Sequence, residues 1–159
     1  MSKRSLPDES SGQVVARNRK ARHEFAILDT WEAGLVLTGT EVKSIRAGKV
    51  SLKGAYGTLR RGEVWLEGMN ISPYERGGYA NHEPERPRKL LMHRQEIRRL
   101  IGALERKGLT LVPLDVHFSN GVAKVTVALA RGKNLRDRRE DVKRRTAERE
   151  AQRAIGRRE

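Results

Sequence analysis

The chain has 159 residues, about the length of one domain, and 36% of them are hydrophobic, which suffices for one modest core. Lysine and arginine outnumber aspartate and glutamate by 34 to 20, which leaves a formal net charge of +14. So positive a field favours a polyanionic partner, either nucleic acid or an acidic membrane surface. The absence of cysteine excludes disulfides and cysteine-bound metal, and no apolar run resembles a membrane span or a secretory signal.

The first part of the chain is polar and then cationic. Residues 1–13 offer almost nothing to bury, and we expect them to form a flexible leader. Residues 17–23 carry four positive side chains, to which Asn18 and His23 add directional hydrogen bonding. This segment is consistent with a solvated basic arm or with a phosphate clamp, and the sequence leaves both interpretations open.

Two short strands are predicted next, at residues 25–28 and 35–37, joined by a turn over residues 29–34. The turn is predicted because aspartate, threonine and glycine interrupt the apolar pattern there. Glu32 falls in this turn, where a carboxylate is usually solvated.

The stretch from residue 35 to residue 48 changes from strand to helix in its middle. Thr40 is predicted to cap a helix that carries Glu41 in its first turn, and Gly48 is predicted to end it. The helix has an apolar underside and a cationic outer side that includes Lys43. Such a corner is either a packed element with solvated cations or the support of a binding surface.

Two β-hairpins are predicted from apolar strands that flank short turns containing glycine. The strands cover residues 53–59 and 63–67 in the first hairpin, and residues 109–118 and 122–129 in the second. Glycines in the first hairpin predict bends that curl the sheet into a barrel, and Pro113 predicts an edge position or a bulge.

A loop and a helix lie between the hairpins. Residues 73–87 show no period, so they form either a mobile loop or a surface where Tyr79, Asn81 and His82 contact RNA bases. Residues 97–104 repeat apolar side chains at helical spacing, which predicts a helix packed on the core.

The last segment, residues 131–159, is rich in charge and has only a weak apolar face. We expect a disordered tail that becomes helical on a polyanion, with a solvated helix as the alternative. The predicted organisation is therefore a leader (1–13), a β-barrel domain (14–130) and a basic tail (131–159).

No catalytic or metal-binding motif stands out. The four histidines lie far apart, and no phosphate-binding loop, nucleophile elbow or dinucleotide fingerprint is present. Two other classes stay open as alternatives. A ribosomal protein would bind ordinary ribosomal RNA, and a nuclease using two histidines and a lysine would degrade RNA.

Four segments together resemble the small protein B family, the transfer-messenger RNA-binding proteins of bacterial trans-translation, and they occur in the family's order. They are Asn18-Arg19-Lys20-Ala21-Arg22-His23; Glu32-Ala33-Gly34-Leu35 running into Gly39-Thr40-Glu41-Val42-Lys43-Ser44-Ile45-Arg46-Ala47-Gly48; Arg88-Lys89-Leu90-Leu91; and Ala130-Arg131-Gly132-Lys133 followed by Asp137-Arg138-Arg139-Glu140.

The resemblance implies a mainly β fold, an oligonucleotide-binding-like antiparallel barrel with a few flanking helices. It implies a cytoplasmic RNA-binding protein that is monomeric, needs no cofactor and is not an enzyme. Such a protein binds the tRNA-like domain of transfer-messenger RNA and, with elongation factor Tu and GTP, helps bring that RNA into the empty A site of a stalled ribosome. The basic tail enters the vacant mRNA channel and folds there as a helix.

The resemblance also implies site residues. Five positions match ones that the family uses at or near its RNA-binding surface: Asn18, Lys20, His23, Glu32 and Leu91. Two more, Glu41 and Lys43, match less strongly and are either RNA contacts or structural residues. Charge alone adds three RNA-binding candidates: Lys124, Arg131 and Lys133. The functional tail takes in six: Asp137, Arg138, Arg139, Lys143, Arg144 and Arg145. Arg138 replaces the family's lysine, and Arg136 stands where the family often has histidine or tyrosine, which removes any aromatic stacking there.

Overall fold

The structure is a computed structural model that describes residues 12–106, 108–133, 146–147 and 149–150. Strands dominate this part of the chain, and helices are short. In order, the elements are β1 (Gly12–Arg17), α1 (Ala21–Glu24), β2 (Phe25–Leu35), α2 (Gly39–Arg46), β3 (Val50–Ser51), β4 (Tyr56–Arg60), β5 (Glu63–Glu67), β6 (Asn70–Ile71), a 3₁₀ turn (Gly78–Ala80), β7 (Arg88–Leu91), α3 (Arg94–Leu104), β8 (Leu109–Ser119) and β9 (Val122–Gly132).

The main sheet has the antiparallel strand order β1-β8-β4-β5-β7-β2-β9, and β9 also pairs with β8. The strands from β8 round to β9 therefore pair in a closed ring, and β1 adds to β8 beside it. β3 and β6 form a separate two-stranded sheet. The predicted fold class, antiparallel β with a few flanking helices, is confirmed.

The ring closes between β4 and β8 at a glycine. Gly57 lies opposite Leu111, and a Cβ added to the glycine would lie 2.4 Å from Cδ2 and 2.9 Å from Cβ of that leucine. A glycine in a strand interior often marks such a close approach. The absence of a side chain at residue 57 is thus a condition for closing the ring.

The prediction of two short strands joined by a turn at residues 29–34 is wrong. Residues Phe25–Leu35 form one strand, which pairs with β9 along its length and has a bulge between Ile27 and Asp29. Trp31 and Ala33 point alternately into the core, so this segment has the period of a half-buried strand. Cross-strand pairing overrides the local turn preference of aspartate and glycine.

Both predicted hairpins are confirmed. The first turns at Arg61 and Gly62, with φ of 51° and 77°, and the second at Asn120 and Gly121, with φ of 51° and 76°. Two consecutive residues with positive φ define the two-residue turn that suits the twist of a hairpin. The irregularity expected at Pro113 is also present, since the β8–β9 register shifts just after it.

The helix after β2 begins two residues earlier than predicted. Its N-cap is Thr38 and not Thr40, and Thr38 forms a capping box with Glu41. The carboxylate Oε1 of Glu41 accepts the backbone N–H of Thr38 at 2.9 Å. Gly48 follows the helix with a φ of 74°, as its predicted role as terminator requires.

The core has two parts. The larger fills the inside of the ring, where Val125, Val127 and Leu129 of β9 share one face, and Leu100 of the predicted helix α3 packs there as expected. The smaller lies under α1 on the opposite face of the sheet, called here the outer face. Its buried members are Ala21, Val112, Leu114, Ala128 and Ala130.

Strands extend a little beyond residues 14 and 130, the predicted limits of the domain. β1 begins at Gly12 and β9 runs to Gly132, and the backbone N–H of Lys133 donates to the carbonyl of Glu24 at 2.8 Å. The rest of the predicted leader and the tail residues named for the ribosome, 137–145, lie outside the described residues.

Candidate nucleic-acid interface

Several predicted RNA-binding residues lie side by side on the outer face of the sheet. Inward-facing Trp31 and Ala33 leave Glu32 between them on the outer face of β2. Lys124 of β9 lies opposite Gly34 of β2 on that face, and Gly34 lies opposite Leu91 of β7. Three predicted site residues from three strands are therefore neighbours, although up to 92 positions separate them in the sequence.

A network of hydrogen bonds crosses this face. Glu32 accepts from Lys124 Nζ at 3.0 Å and is 2.9 Å from Nε2 of His117. The other ring nitrogen of His117, Nδ1, is 2.7 Å from Oδ1 of Asp115, which also accepts the hydroxyl of Thr126 at 3.0 Å. We call these five residues the outer-face network.

The protonation of the outer-face network is shifted by its own contacts. Burial raises the pKa of Glu32, but hydrogen bonds from His117 and Lys124 outweigh burial and leave that pKa below its ordinary value of 4.5. The hydrogen bond to Asp115 raises the pKa of His117; burial opposes it, but Glu32 adds to it, so the net pKa lies above 6.5. Opposite charges therefore stabilise one another here.

Leu91 extends the surface with an apolar side chain. It is 54% exposed, and its Cβ lies 3.2 Å from the place where a Cβ on Gly34 would be. The glycine thus provides the space over which this leucine lies. Val36 is also exposed, and its backbone N–H donates to the carbonyl of Lys89 at 3.1 Å. Since Lys89 lies on β7 with Leu91, Val36 lies near that leucine. The result is an apolar strip beside the charged network.

The basic segment at residues 17–23 is a strand end, a turn and the short helix α1. Asn18 binds β8 twice, with its backbone N–H on the carbonyl of Leu114 at 2.7 Å and its Nδ2 on the carbonyl of Pro113 at 2.9 Å. Its side-chain nitrogen therefore anchors the turn to the bulge in β8. Lys20 and His23 are exposed, so they present their charge and hydrogen-bonding groups to solvent.

The same basic segment forms one wall of an open cleft of about 870 Å³. Residues 50–56, which include Lys53 and Tyr56, line the same cleft. Arg17, Arg19 and Lys20 also line it, so four cations contribute to its lining. A cleft of this charge suits phosphate groups.

Two more candidates lie at the end of β9. Arg131 is exposed and lies opposite Ala26. Lys133 is half-buried, and its Nζ donates to the backbone carbonyl of Arg22 at 3.2 Å. The chain end at Lys133 is thereby joined to α1, so these two cations continue the basic segment.

Of the two alternatives for Glu41, an RNA contact or a structural role, the structure favours the structural one. Its side chain has no exposed surface, and its two oxygens accept from Thr38, from Nη2 of Arg86 at 2.5 Å and from Nε of Arg88 at 2.6 Å. Burial raises the pKa of Glu41, but these donors outweigh burial and lower it. Lys43 is exposed, as an RNA contact requires, and its Nζ lies 5.4 Å from the ring centroid of Tyr74.

Two residues of the 73–87 loop that were candidates for base contacts hold the loop instead. The side chain of Asn81 exchanges two hydrogen bonds with the backbone of Tyr74, at 2.7 and 3.0 Å. His82 is buried, with Nδ1 2.9 Å from Oγ1 of Thr40 and Nε2 2.8 Å from the carbonyl of Ile71. The side chain of Tyr79 lies outside the described residues.

Across the described ranges, no group of three or more histidine, aspartate or glutamate side chains could hold a metal ion. In the same ranges, the helices lack the length and apolar character that a membrane span needs.

Comparison with known proteins identifies the family. The SmpB protein family model matches residues 15–157. The chain belongs to the SmpB family. Among curated relatives, the SsrA-binding protein of Desulforudis audaxviator is 60% identical over 142 residues, which cover 89% of this chain and 93% of the relative. The SsrA-binding protein of Nostoc punctiforme is 56% identical over 152 residues, which cover 94% of this chain and 98% of the relative.

A solved SmpB structure, described as "tmRNA-SmpB: a journey to the center of the bacterial ribosome", is 56% identical to this chain. The two superpose with a TM-score of 0.64 over 75% of this chain and 84% of the other. The resemblance carried by the four sequence segments is therefore confirmed at the level of the family.

Two residues of the outer-face network are not among those predicted from the sequence. His117 and Asp115 lie on β8, where their spacing of two places them on the same face as Lys124 and Thr126. That alternation was visible in the sequence. The contact between His117 and Glu32, which lie 85 positions apart, is not predictable from the sequence in this way. It depends on the pairing of β2 with β9, and the wrongly predicted turn in β2 excludes that pairing.

Proposed function

We propose that this chain binds the tRNA-like domain of transfer-messenger RNA and helps deliver that RNA to stalled ribosomes for trans-translation. The observation that carries the proposal is the family membership over nearly the whole chain. The curated relatives are named SsrA-binding proteins, and a solved relative is described with tmRNA and the bacterial ribosome. The outer face supplies a surface of the right chemistry.

On this proposal the RNA contacts combine charge with a few directional groups. Lys20, Arg131 and the other exposed cations neutralise phosphates, so affinity falls steeply as salt rises. Glu32 is an acceptor-only group, suited to the 2′-hydroxyls or exposed amino groups of an RNA loop. Leu91 offers its exposed methyl groups to the face of an unpaired base.

The tail is proposed to act on the ribosome. By family resemblance, Asp137, Arg138 and Arg139 begin a segment that probes the empty mRNA channel, together with the cations at 143–145. Its excess of positive charge suits a channel built of ribosomal RNA. Elongation factor Tu with GTP is the proposed delivery partner, and the chain is proposed to act as a cytoplasmic monomer without a cofactor and without catalysing a reaction.

A binding competition at physiological salt tests the RNA partner. Labelled tRNA-like domain is bound to the full chain and challenged with excess ordinary tRNA or duplex RNA. We expect the label to be retained. Equal displacement by every RNA would overturn the proposal in favour of general, charge-driven RNA binding, and loss of intact RNA with time would indicate a nuclease.

Two charge-matched variants sharpen that competition. Arg131→Gln removes a predicted RNA-binding cation, and Lys49→Gln removes one that is not among the predicted RNA-binding residues and is paired with Glu75. Both lower the net charge equally, so only Arg131→Gln should weaken binding if the surface is specific. Equal weakening would mean that net charge alone drives binding.

The tail is tested by ending the chain after Lys133, which keeps the hydrogen bond from its backbone to Glu24. RNA affinity should be retained, and peptide tagging in a reconstituted translation assay should be lost. Tagging by the shortened chain would refute the proposed role of the tail while leaving the RNA-binding proposal standing.

A further inference from the structure

His117 occupies a position that the proposed function does not explain. Its side chain is 6% exposed and lies between two carboxylates, with Asp115 at 2.7 Å from Nδ1 and Glu32 at 2.9 Å from Nε2. The carboxylate of Glu32 is 39% exposed and belongs to the proposed RNA surface. A buried imidazole is therefore in direct contact with a group that RNA would meet.

The charged groups around His117 come from each strand beside it. Asp115 lies on its own strand β8, Lys124 lies opposite it on β9, and Glu32 reaches it from β2. On β1, the apolar Val14 lies opposite His117 and Arg17 lies opposite Asp115. Two carboxylates thus contact the ring directly.

Only a protonated imidazole can donate to both carboxylates. A neutral ring has one N–H, and its second nitrogen is an acceptor. The contact to Asp115 is the shorter one, and Asp115 is less exposed than Glu32, 27% against 39%. If the neutral ring keeps its proton on Nδ1, toward the shorter and less exposed contact, Glu32 faces a lone pair.

We propose that the protonated ring of His117 positions Glu32 for RNA, so that RNA affinity falls when this ring loses its proton. The inference rests on the proposed RNA-binding function. With the proton in place, Asp115, Glu32, His117 and Lys124 carry no net charge together. Without it they carry one negative charge, and Glu32 keeps Lys124 but loses its second donor.

Binding and protonation are linked in both directions. A polyanion placed against this face favours the protonated ring, so RNA binding takes up a proton where the free ring is neutral. The hydrogen bond to Asp115 is the main cause of the net upward shift in the pKa of His117, and RNA should raise that pKa further. For every unit by which RNA raises that pKa further, affinity changes by about tenfold between the protonated and neutral limits.

The test compares RNA affinity between pH 6 and pH 8.5 at fixed ionic strength, using the full chain and labelled tRNA-like domain. The wild type should bind several-fold more weakly at the upper end. His117→Gln should lose most of that dependence and should bind at every pH about as weakly as the wild type does at pH 8.5. His93→Gln, which replaces an exposed histidine at the start of α3, is the matched control. His23→Gln measures how much of the pH dependence comes from the histidine of α1.

A second measurement uses the unaltered chain and holds even if His117→Gln does not fold. The imidazole C–H signals are titrated by NMR with and without RNA. The signal of His117 should titrate at a higher pH when RNA is bound. An unshifted titration, or identical pH profiles for wild type and His117→Gln, would overturn the inference.

Failure of the RNA-binding function would look different. In that case the wild type would not prefer the tRNA-like domain at any pH, while the free chain would still titrate His117. The inference about positioning is then overturned together with the function on which it rests, and the cause is identified.

Discussion

Glu32 and Glu41 are two glutamates that each meet two basic side chains, yet they lie in opposite surroundings. Glu41 is fully buried with Arg88, whereas Glu32 keeps 39% of its side chain exposed beside His117 and Lys124. The pKa of each is lowered on balance, since donors outweigh burial in both. Burial, and not the pairing chemistry, separates a carboxylate that holds the fold from one that can meet a ligand.

The buried pair of Glu41 and Arg88 is held in place by the other hydrogen bonds of Arg88. Its guanidinium donates to Glu41 and also to the carbonyls of Met69, Pro84 and Glu83, at 2.6 to 3.3 Å. It thereby joins α2 and β7 to the loop before β7. No donor is left over for RNA from this pair in the described structure, because both side chains have no exposed surface.

The largest effect is expected from Glu41→Gln, which leaves the buried guanidinium of Arg88 without its counter-charge. Breaking a buried ion pair from one side typically costs about 3–5 kcal/mol of unfolding free energy. Urea unfolding measures that loss. Glu75→Gln is the control, because Glu75 is paired with Lys49 in solvent and should change stability little.

RNA affinity of the folded Glu41→Gln chain, measured below its unfolding midpoint, should match the wild type. A large fall in affinity with little loss of stability would show that Glu41 serves the RNA surface after all.

A steric change gives the next largest effect and separates instability from loss of binding. Gly57→Ala places a methyl group against Leu111 where the ring closes, and overpacking of this kind costs about 1–3 kcal/mol. It touches neither glutamate. Urea unfolding should show the loss, while RNA affinity of the folded chain stays unchanged.

Gly102→Ala is the matched control for Gly57→Ala, since a Cβ on Gly102 in α3 meets no atom within 4 Å and alanine favours a helix. It should be neutral or stabilising. If Gly57→Ala proved equally neutral, Leu111 would have to move without cost, and the ring would close less tightly than described.

Local elements such as hairpins are predictable from this sequence, whereas the pairing of distant strands is not. Both hairpins followed from their turns, because Arg61-Gly62 and Asn120-Gly121 determine the connection within a few residues. β2 was misread because its turn-forming residues are overridden by pairing with β9, about 100 positions away. Turn chemistry is local and readable, whereas pairing partners depend on the whole chain.

The site was predictable in part, for the same reason. Family motifs pointed to Glu32 and Leu91, and charge pointed to Lys124, which the sheet then brings together. Motif position could not tell that Glu41 is buried, since its partners Arg86 and Arg88 lie some 45 positions away. His117 had no motif at all and is identified only by its contacts.

A smaller change separates the exposed glutamate from the buried one. Glu32→Gln removes the charge that Lys124 and His117 bind, but solvent screens this pairing, so unfolding free energy should fall by less than about 1 kcal/mol. RNA affinity should fall about tenfold, the worth of one charge-assisted hydrogen bond. A fluorescence titration with the tRNA-like domain measures it, with Glu63→Gln, paired to Lys89, as control.

Unchanged affinity of Glu32→Gln would remove Glu32 from the RNA surface. A loss of stability as large as that of Glu41→Gln would instead make both glutamates structural and erase the distinction between them.

The smallest effect concerns pH, and it separates the two regions because only the outer-face network holds a histidine. Both glutamates have lowered pKa values, so each contributes stability above its ordinary 4.5 that is lost as pH falls through the lower folded value. The pKa of His117 is raised, so its contribution is present below 6.5 and is lost as pH rises through the higher folded value. The unfolding free energy of the wild type, measured with urea, should therefore be lower at pH 8.5 than at pH 6. His117→Gln should lose less over the same range, while Glu41→Gln should keep the wild-type slope, because the buried pair has no group that titrates there. Equal slopes in wild type and His117→Gln would mean that folding does not shift the pKa of His117, so that Asp115 and Glu32 give its charged ring no net stabilisation.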